Sequence, residues 1–193
     1  NMIKIATLLE DASSIGQEVT VKGWVRTFRA NRFIALNDGS TLQNLQCVVD
    51  FENFEEALLK QINTGAALAI KGVLIASQGK GQSVEIQVAE LNVLGGADPE
   101  QYPIQPKKHS FEFLREQAHL RVRTNTFSAV MRVRSALAFA VHQFFRNEGF
   151  YYVNTPIITG SDAEGAGEMF RVTTLDPKNP PLGEDQAVDY KQD

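Results

Sequence analysis

Between Val19 and Leu94 apolar and polar residues alternate in short runs, each bounded by glycine, asparagine or aspartate, and this is the spacing of half-buried strands. Val19–Phe28 carries Val19, Val21, Gly23 and Val25 on one face, with a bend expected at Gly23 and Trp24 assigned to the core. Phe33–Asp38 runs into the turn Asn37-Asp38-Gly39-Ser40, and Leu45–Val49 follows, so these two runs predict a hairpin. From Asn53 to Ile62 the period changes: Phe54, Ala57, Leu58 and Ile62 recur at helical spacing and predict a short helix. Ala67–Ile75 and Ser83–Val88 return to alternation around the turn Gln78-Gly79-Lys80-Gly81.

Three strands, a helix and two more strands within about 100 residues is the element order of an OB-fold, a small barrel that binds oligonucleotides on one face. Gly95, Gly96, Pro99, Pro103 and Pro106 then interrupt both periodicities, which divides the chain into a barrel domain over 1–95, a linker over 96–109 and a second region over 110–193. In the second region Thr126 is expected to cap a long helix with a stripe of Phe127, Val130, Met131, Leu137, Val141, Phe144 and Phe145, ended by Gly149. Val133, Ala136 and Ala140 add apolar surface off that stripe, more than one core needs, so a partner surface is expected there. Tyr151–Val153 predicts an extended run toward Pro156, Ser161–Met169 a glycine-bearing loop, and Thr173 onward no assignable pattern.

Composition narrows the class. No apolar run approaches the roughly 20 residues of a membrane span, and the first residues lack a signal-peptide pattern, so a cytoplasmic protein is expected. The single cysteine, Cys47, excludes an internal disulfide, and three scattered histidines give no zinc spacing, so no metal site is expected. A net charge of −4 argues against binding nucleic acid through bulk electrostatics and leaves only local basic faces, at Arg26, Arg29 and Arg32 and from Lys107 to Arg123.

Lys22-Gly23-Trp24-Val25-Arg26, then Phe33 to Asp38, then Leu45-Gln46, resembles the anticodon-binding domain of aspartyl-, asparaginyl- and lysyl-tRNA synthetases. Phe144 to Phe150 leading to Thr155-Pro156 is similar to motif 1 of class II synthetases, a helix and strand at their dimer interface. Phe113–Arg123 and Asp162–Phe170 look like the asparaginyl branch. The resemblance implies a β-barrel OB-fold domain followed by the incomplete start of an α+β class II catalytic domain. The arginine-bearing motifs 2 and 3 that bind ATP in this family are not in the sequence, so the resemblance implies an N-terminal fragment of an asparagine–tRNA ligase that does not itself aminoacylate. ATP and magnesium would serve the full-length enzyme, with none expected for the fragment and no catalytic residue in it. Asparagine-specific tRNA and asparagine would be its partners, and the full-length protein would be a homodimer.

The same resemblance implies roles for individual residues. Phe33 would stack on the middle anticodon uridine, and Gln46 would hydrogen-bond that base, since an amide can accept from the ring N–H and donate to a carbonyl together. Arg26 would donate to base or phosphate, and Glu85 would contact the anticodon. Glu164 would face the substrate ammonium from a closing loop freed by Gly165 and Gly167, and Gly149 and Pro156 would belong to the dimer motif. Two alternatives remain open at this stage: an aspartyl relative, or a non-catalytic OB-fold module carrying an oligomerisation arm.

Overall fold

In a computed structural model, which describes residues 3–79, 81–160, 165, 170 and 172–192, the chain resolves into two compact units, residues 1–141 and 142–193. The first is built on five strands, β1 (Glu18–Arg29), β2 (Phe33–Asn37), β3 (Leu45–Val48), β4 (Ala67–Ala76) and β5 (Val84–Gly95). They close in the order β1-β2-β3-β5-β4, with β3 and β5 parallel and the other pairs antiparallel. All five strand expectations and the β2–β3 hairpin are met.

Alternation decides what fills the barrel. Val19, Val21 and Val25 of β1, Ile34 and Leu36 of β2, Leu45 and Cys47 of β3, and Leu68, Ile70 and Leu74 of β4 point inward and are buried. Gly23 lies against the end of β2: a Cβ there would lie 2.7 Å from the Asn37 carbonyl oxygen. Just beyond it the register with β2 slips between Val25 and Thr27, a bulge that bends the strand. A helix absent from the sequence reading, α1 (Ile5–Glu10), adds Ile5 and Leu8 to the same core. Its first amides are held by the β2–β3 loop, with Ile5 N–H donating to Asp38 Oδ2 (2.9 Å) and Ala6 N–H to Ser40 Oγ (3.0 Å).

Some local expectations need correction. The helix expected over Asn53–Ile62 is only α2 (Glu56–Leu59), preceded by a tight turn at Phe51–Asn53. Too short to be stable alone, it persists because Leu58 and Leu59 pack on the core beside buried Ile62. Trp24 is not a core residue: it stays 38% exposed, its neighbours Val25 and Gly23 being the ones turned toward the barrel and β2. Within the segment expected to be a linker, Ile104 is buried and the Tyr102 ring lies against Gly65, whose positive φ and missing Cβ admit it.

Two further helices follow, α3 (Phe111–Glu116), capped by Ser110 Oγ accepting from Phe113 N–H, and α4 (Asn125–Asn147). The α4 cap is Thr124, whose Oγ1 accepts from Phe127 N–H at 3.3 Å, and not Thr126, which lies within the first turn. Its end matches the expectation: Gly149 takes φ +84, Phe150 N–H donates to Phe145 O (3.0 Å) and Gly149 N–H to Arg146 O (3.1 Å), a Schellman closure. The Phe145 and Phe150 rings meet edge-on at 5.4 Å across it. No residue of α4 is buried, and Val133, Leu137, Phe139, Val141 and Phe144 are each more than half exposed. Tyr151–Val153 forms no strand, since a ladder needs a neighbour and none of the described residues supplies one.

Candidate nucleic-acid interface

The outward positions of the barrel form a continuous row where β1, β2, β3 and β5 lie side by side. Thr27 pairs with Ala35, Ala35 with Gln46, and Gln46 with Glu85, so these four residues cross four strands on one face. Phe33 lies two positions from Ala35 on the same face of β2, opposite Arg29 and Val48. Ile34 and Leu36 take the core positions and leave Phe33 half-buried, with ring surface open to solvent. Three of the four residues expected to touch a base, Phe33, Gln46 and Glu85, therefore share one patch.

Glu85 is the buried member, 8% exposed, and a carboxylate so placed needs donors. Its Oε2 receives three: Gln46 Nε2 at 2.9 Å, Ser77 Oγ at 2.9 Å and Gln82 Nε2 at 3.3 Å. Because an ionised carboxylate only accepts, this contact fixes which way the Gln46 amide faces. The second N–H and Oε1 of Gln46 are left for a ligand, a donor and an acceptor side by side, the pair that one edge of uracil complements. Sequence reasoning missed Ser77 and Gln82. The signal available was the polar turn around Gln78–Gly81 next to Glu85, which reads as a plain surface loop until β4 and β5 are paired.

The β1–β2 tip adds charge. Ala30 and Asn31 take φ values of +52 and +48, and Arg32 N–H donates to Arg29 O at 3.0 Å, so the chain reverses tightly, with Arg29 paired opposite Phe33 and Arg32 preceding it. The Arg32 guanidinium lies 5.8 Å from the Phe33 ring centroid. Both arginines are exposed and could meet the backbone of a strand whose base stacks on Phe33.

Arg26 is not part of this patch. It sits at the bulge, where its Nη2 donates to Asn125 Oδ1 at 3.2 Å. Burial, and to a smaller degree the nearby Arg123 charge, hold its pKa below the usual arginine value although Tyr102 opposes this. Gly149 closes α4, Pro156 lies in an exposed irregular stretch, and Glu164 falls outside the described residues. Among the described residues no group of three or more His, Cys, Asp or Glu side chains could hold a metal ion.

Comparison with known proteins matches two family models along the chain. Residues 19–94 match the model of the OB-fold nucleic acid binding domain, and residues 110–180 that of the class II tRNA synthetases (D, K and N). An asparagine–tRNA ligase of Cytophaga hutchinsonii is 58% identical over 195 residues, covering 99% of this chain and 42% of that protein. One from Geobacter sulfurreducens is 57% identical over 183 residues, covering 92% and 39%. Among solved structures, asparaginyl-tRNA synthetase from Pyrococcus horikoshii complexed with asparaginyl-adenylate superposes with a TM-score of 0.75 at 23% identity, covering 90% of this chain and 40% of that one. That last likeness is one of fold. The chain thus spans about two fifths of the length of the relatives it matches.

Proposed function

We infer that this chain, whose residues 110–180 match the class II tRNA synthetases (D, K and N), is the N-terminal part of an enzyme that attaches asparagine to its tRNA. The observation that carries the reading is identity above one half with asparagine–tRNA ligases along nearly the whole chain. An aspartyl relative or a stand-alone binding module has no comparable support.

Within that enzyme the barrel reads the anticodon. Phe33 offers a stacking surface, and base–aromatic stacking contributes about 1–3 kcal/mol per base. Gln46, held by Glu85, presents a fixed donor and acceptor to the stacked base, and the arrangement favours uridine. Arg29 and Arg32 then meet the adjoining phosphates. The division into barrel over 1–95, connecting segment over 96–109 and catalytic start over 110–193 is part of the same reading.

Adenylation and transfer belong to the whole enzyme, where ATP would activate the carboxyl of asparagine with release of pyrophosphate and magnesium would neutralise charge on the triphosphate. The described residues contain no metal-holding cluster, and this chain's own contribution is to bind and position RNA. Glu164 is proposed as the partner of the substrate ammonium. The apolar residues left exposed on α4, with Gly149 and Pro156 beyond them, suit a helix that packs against a second copy in a homodimer. No described helix is long and apolar enough to cross a membrane, and a cytosolic enzyme follows from this reading.

The test is asparagine-dependent exchange of pyrophosphate into ATP by the chain extended to the relatives' full length. Exchange with asparagine and not with aspartate is expected, and Glu164→Gln should raise the asparagine KM. Exchange driven by aspartate would contradict the assignment.

A further inference from the structure

Beside the barrel face, the first unit encloses a cavity of about 920 Å³, lined by β1, the β2–β3 loop, the segment around Tyr102 and the first turns of α4. Arg26, Arg123 and Arg132 all line it, and no aspartate or glutamate is among the described lining residues, in a chain whose net charge is −4. None of the three arginines takes part in an ion pair among the described residues. Their positions are nevertheless fixed. Arg123 stacks on Trp24, with its guanidinium carbon 4.6 Å from the ring centroid, and donates from Nη1 to Tyr102 Oη at 3.3 Å. Arg132 donates to the Gly39 and Ser40 carbonyls, and Arg26 to Asn125. Each guanidinium carries five N–H groups, so these contacts orient the fork and leave donors unused.

Cations gathered without a counter-ion in a half-enclosed space are a site for an anion, because partial burial of Arg26 and Arg123 near each other, with exposed Arg132 at the rim, costs free energy that an anion returns. Burial is the main reason the Arg26 pKa is depressed, Tyr102 opposes it, and the Arg123 charge adds a smaller push in the same direction as burial. Thr27 lies both in the cavity lining and at the end of the row Thr27–Ala35–Gln46–Glu85. At about 4.8 Å between strands, Gln46 and Thr27 are roughly 10 Å apart, a span that neighbouring nucleotides of one strand bridge.

We propose that this cavity binds a backbone phosphodiester of the RNA strand whose base lies on the Phe33–Gln46–Glu85 face, with Arg123 as its principal donor. The proposal rests on the RNA reading of that face, and the two fail separately. The interaction is a phosphate contact and carries no base preference of its own.

The experiment is a salt titration of the chain with an RNA hairpin whose loop presents a uridine. Each phosphate contact in a single strand contributes about 0.7 to the slope of log K against log salt. Arg123→Gln should lower the slope by about that amount and weaken low-salt binding several-fold, and Arg123→Lys should restore the slope. Identical slopes in wild type and Arg123→Gln overturn the proposal. So does inorganic phosphate that binds wild type tightly while the RNA slope ignores Arg123, since that marks a free-anion site. Should Arg123→Gln fail to fold, a photoreactive group on successive phosphorothioate linkages of the RNA tests the wild-type chain directly. Crosslinks to Trp24, Tyr102 or Met131 support the cavity, and crosslinks confined to other residues overturn it. Loss of uridine preference without any change in the Arg123 effect would sink the face reading and leave the cavity standing.

Discussion

At the scale of single residues, Glu85 explains most of what the face can do. Its carboxylate is buried, collects three donors on one oxygen, and thereby dictates the orientation of Gln46. Glu85→Gln replaces an acceptor-only group with one that satisfies Gln46 in either orientation. Hydrogen bonds to charged groups are worth roughly 1.5–3 kcal/mol, so this change should weaken uridine-loop binding by about tenfold, read by fluorescence anisotropy. Gln46 and Glu85 were both legible as candidates in the sequence through family spacing, but their mutual hydrogen bond was not. It depends on the parallel pairing of β3 with β5 across an intervening helix and strand, which no local pattern encodes. Trp24 misled for a related reason, since size suggests burial while its place before the β1 bulge turns it outward against Arg123.

Two other residues make sharper tests of the fold. Cys47 is fully buried in the barrel, and burial pushes its thiol pKa far up. Thiol reagents should leave the native chain unmodified and label it fully in denaturant, so native labelling at a rate near that of a free thiol would contradict a closed barrel. Asp38 concerns pH. Burial raises its carboxyl pKa, but hydrogen bonds from Ser40 and from the Ile5 backbone outweigh it and leave the net value below the ordinary one. A carboxyl depressed in the folded state contributes stability above its unfolded pKa, about 3.9, and that contribution disappears as pH falls through the lower folded value. Asp38→Asn should therefore lose stability at neutral pH and show a flatter acid branch below about pH 4, measured by urea unfolding across pH.

Among the elements, the first four strands were read to within a residue or two because alternation, turn residues and burial agree along them, whereas the last, read as Ser83–Val88, continues to Gly95. Helices were harder. The Asn53–Ile62 pattern had helical spacing, yet the chain needed only one turn there to hand Leu58, Leu59 and Ile62 to the core. The short α1 has no periodic signal long enough to see, and its amides are capped by a loop more than 30 residues away in sequence. Where β4 meets β5 the register shifts between Lys71 and Gly72, and a Cβ at Gly72 would stand 2.1 Å from the Gln87 carbonyl oxygen. Backbone cannot yield there without separating the strands. Gly72→Ala should cost about 2–4 kcal/mol by denaturant unfolding, while Gly39→Ala, open on its Cβ side but at φ +81, should cost about 1 kcal/mol.

For the whole molecule, the division of labour follows from what is packed and what is not. The barrel buries a continuous core and displays its polar row outward, whereas α4 leaves large apolar side chains uncovered. Such a surface on a chain spanning about two fifths of its relatives' length fits a segment that folds against more protein. The central claim, however, concerns the barrel and can be tested on the chain alone. The decisive measurement is affinity for an asparagine-tRNA anticodon hairpin, compared with the same hairpin carrying another base at the middle uridine, in wild type, Phe33→Ala and Gln46→Ala. Preference for uridine in the wild type, lost in both variants together with at least about tenfold in affinity, is the predicted result. Equal affinity for both hairpins, unaffected by either substitution, would contradict anticodon reading by this face.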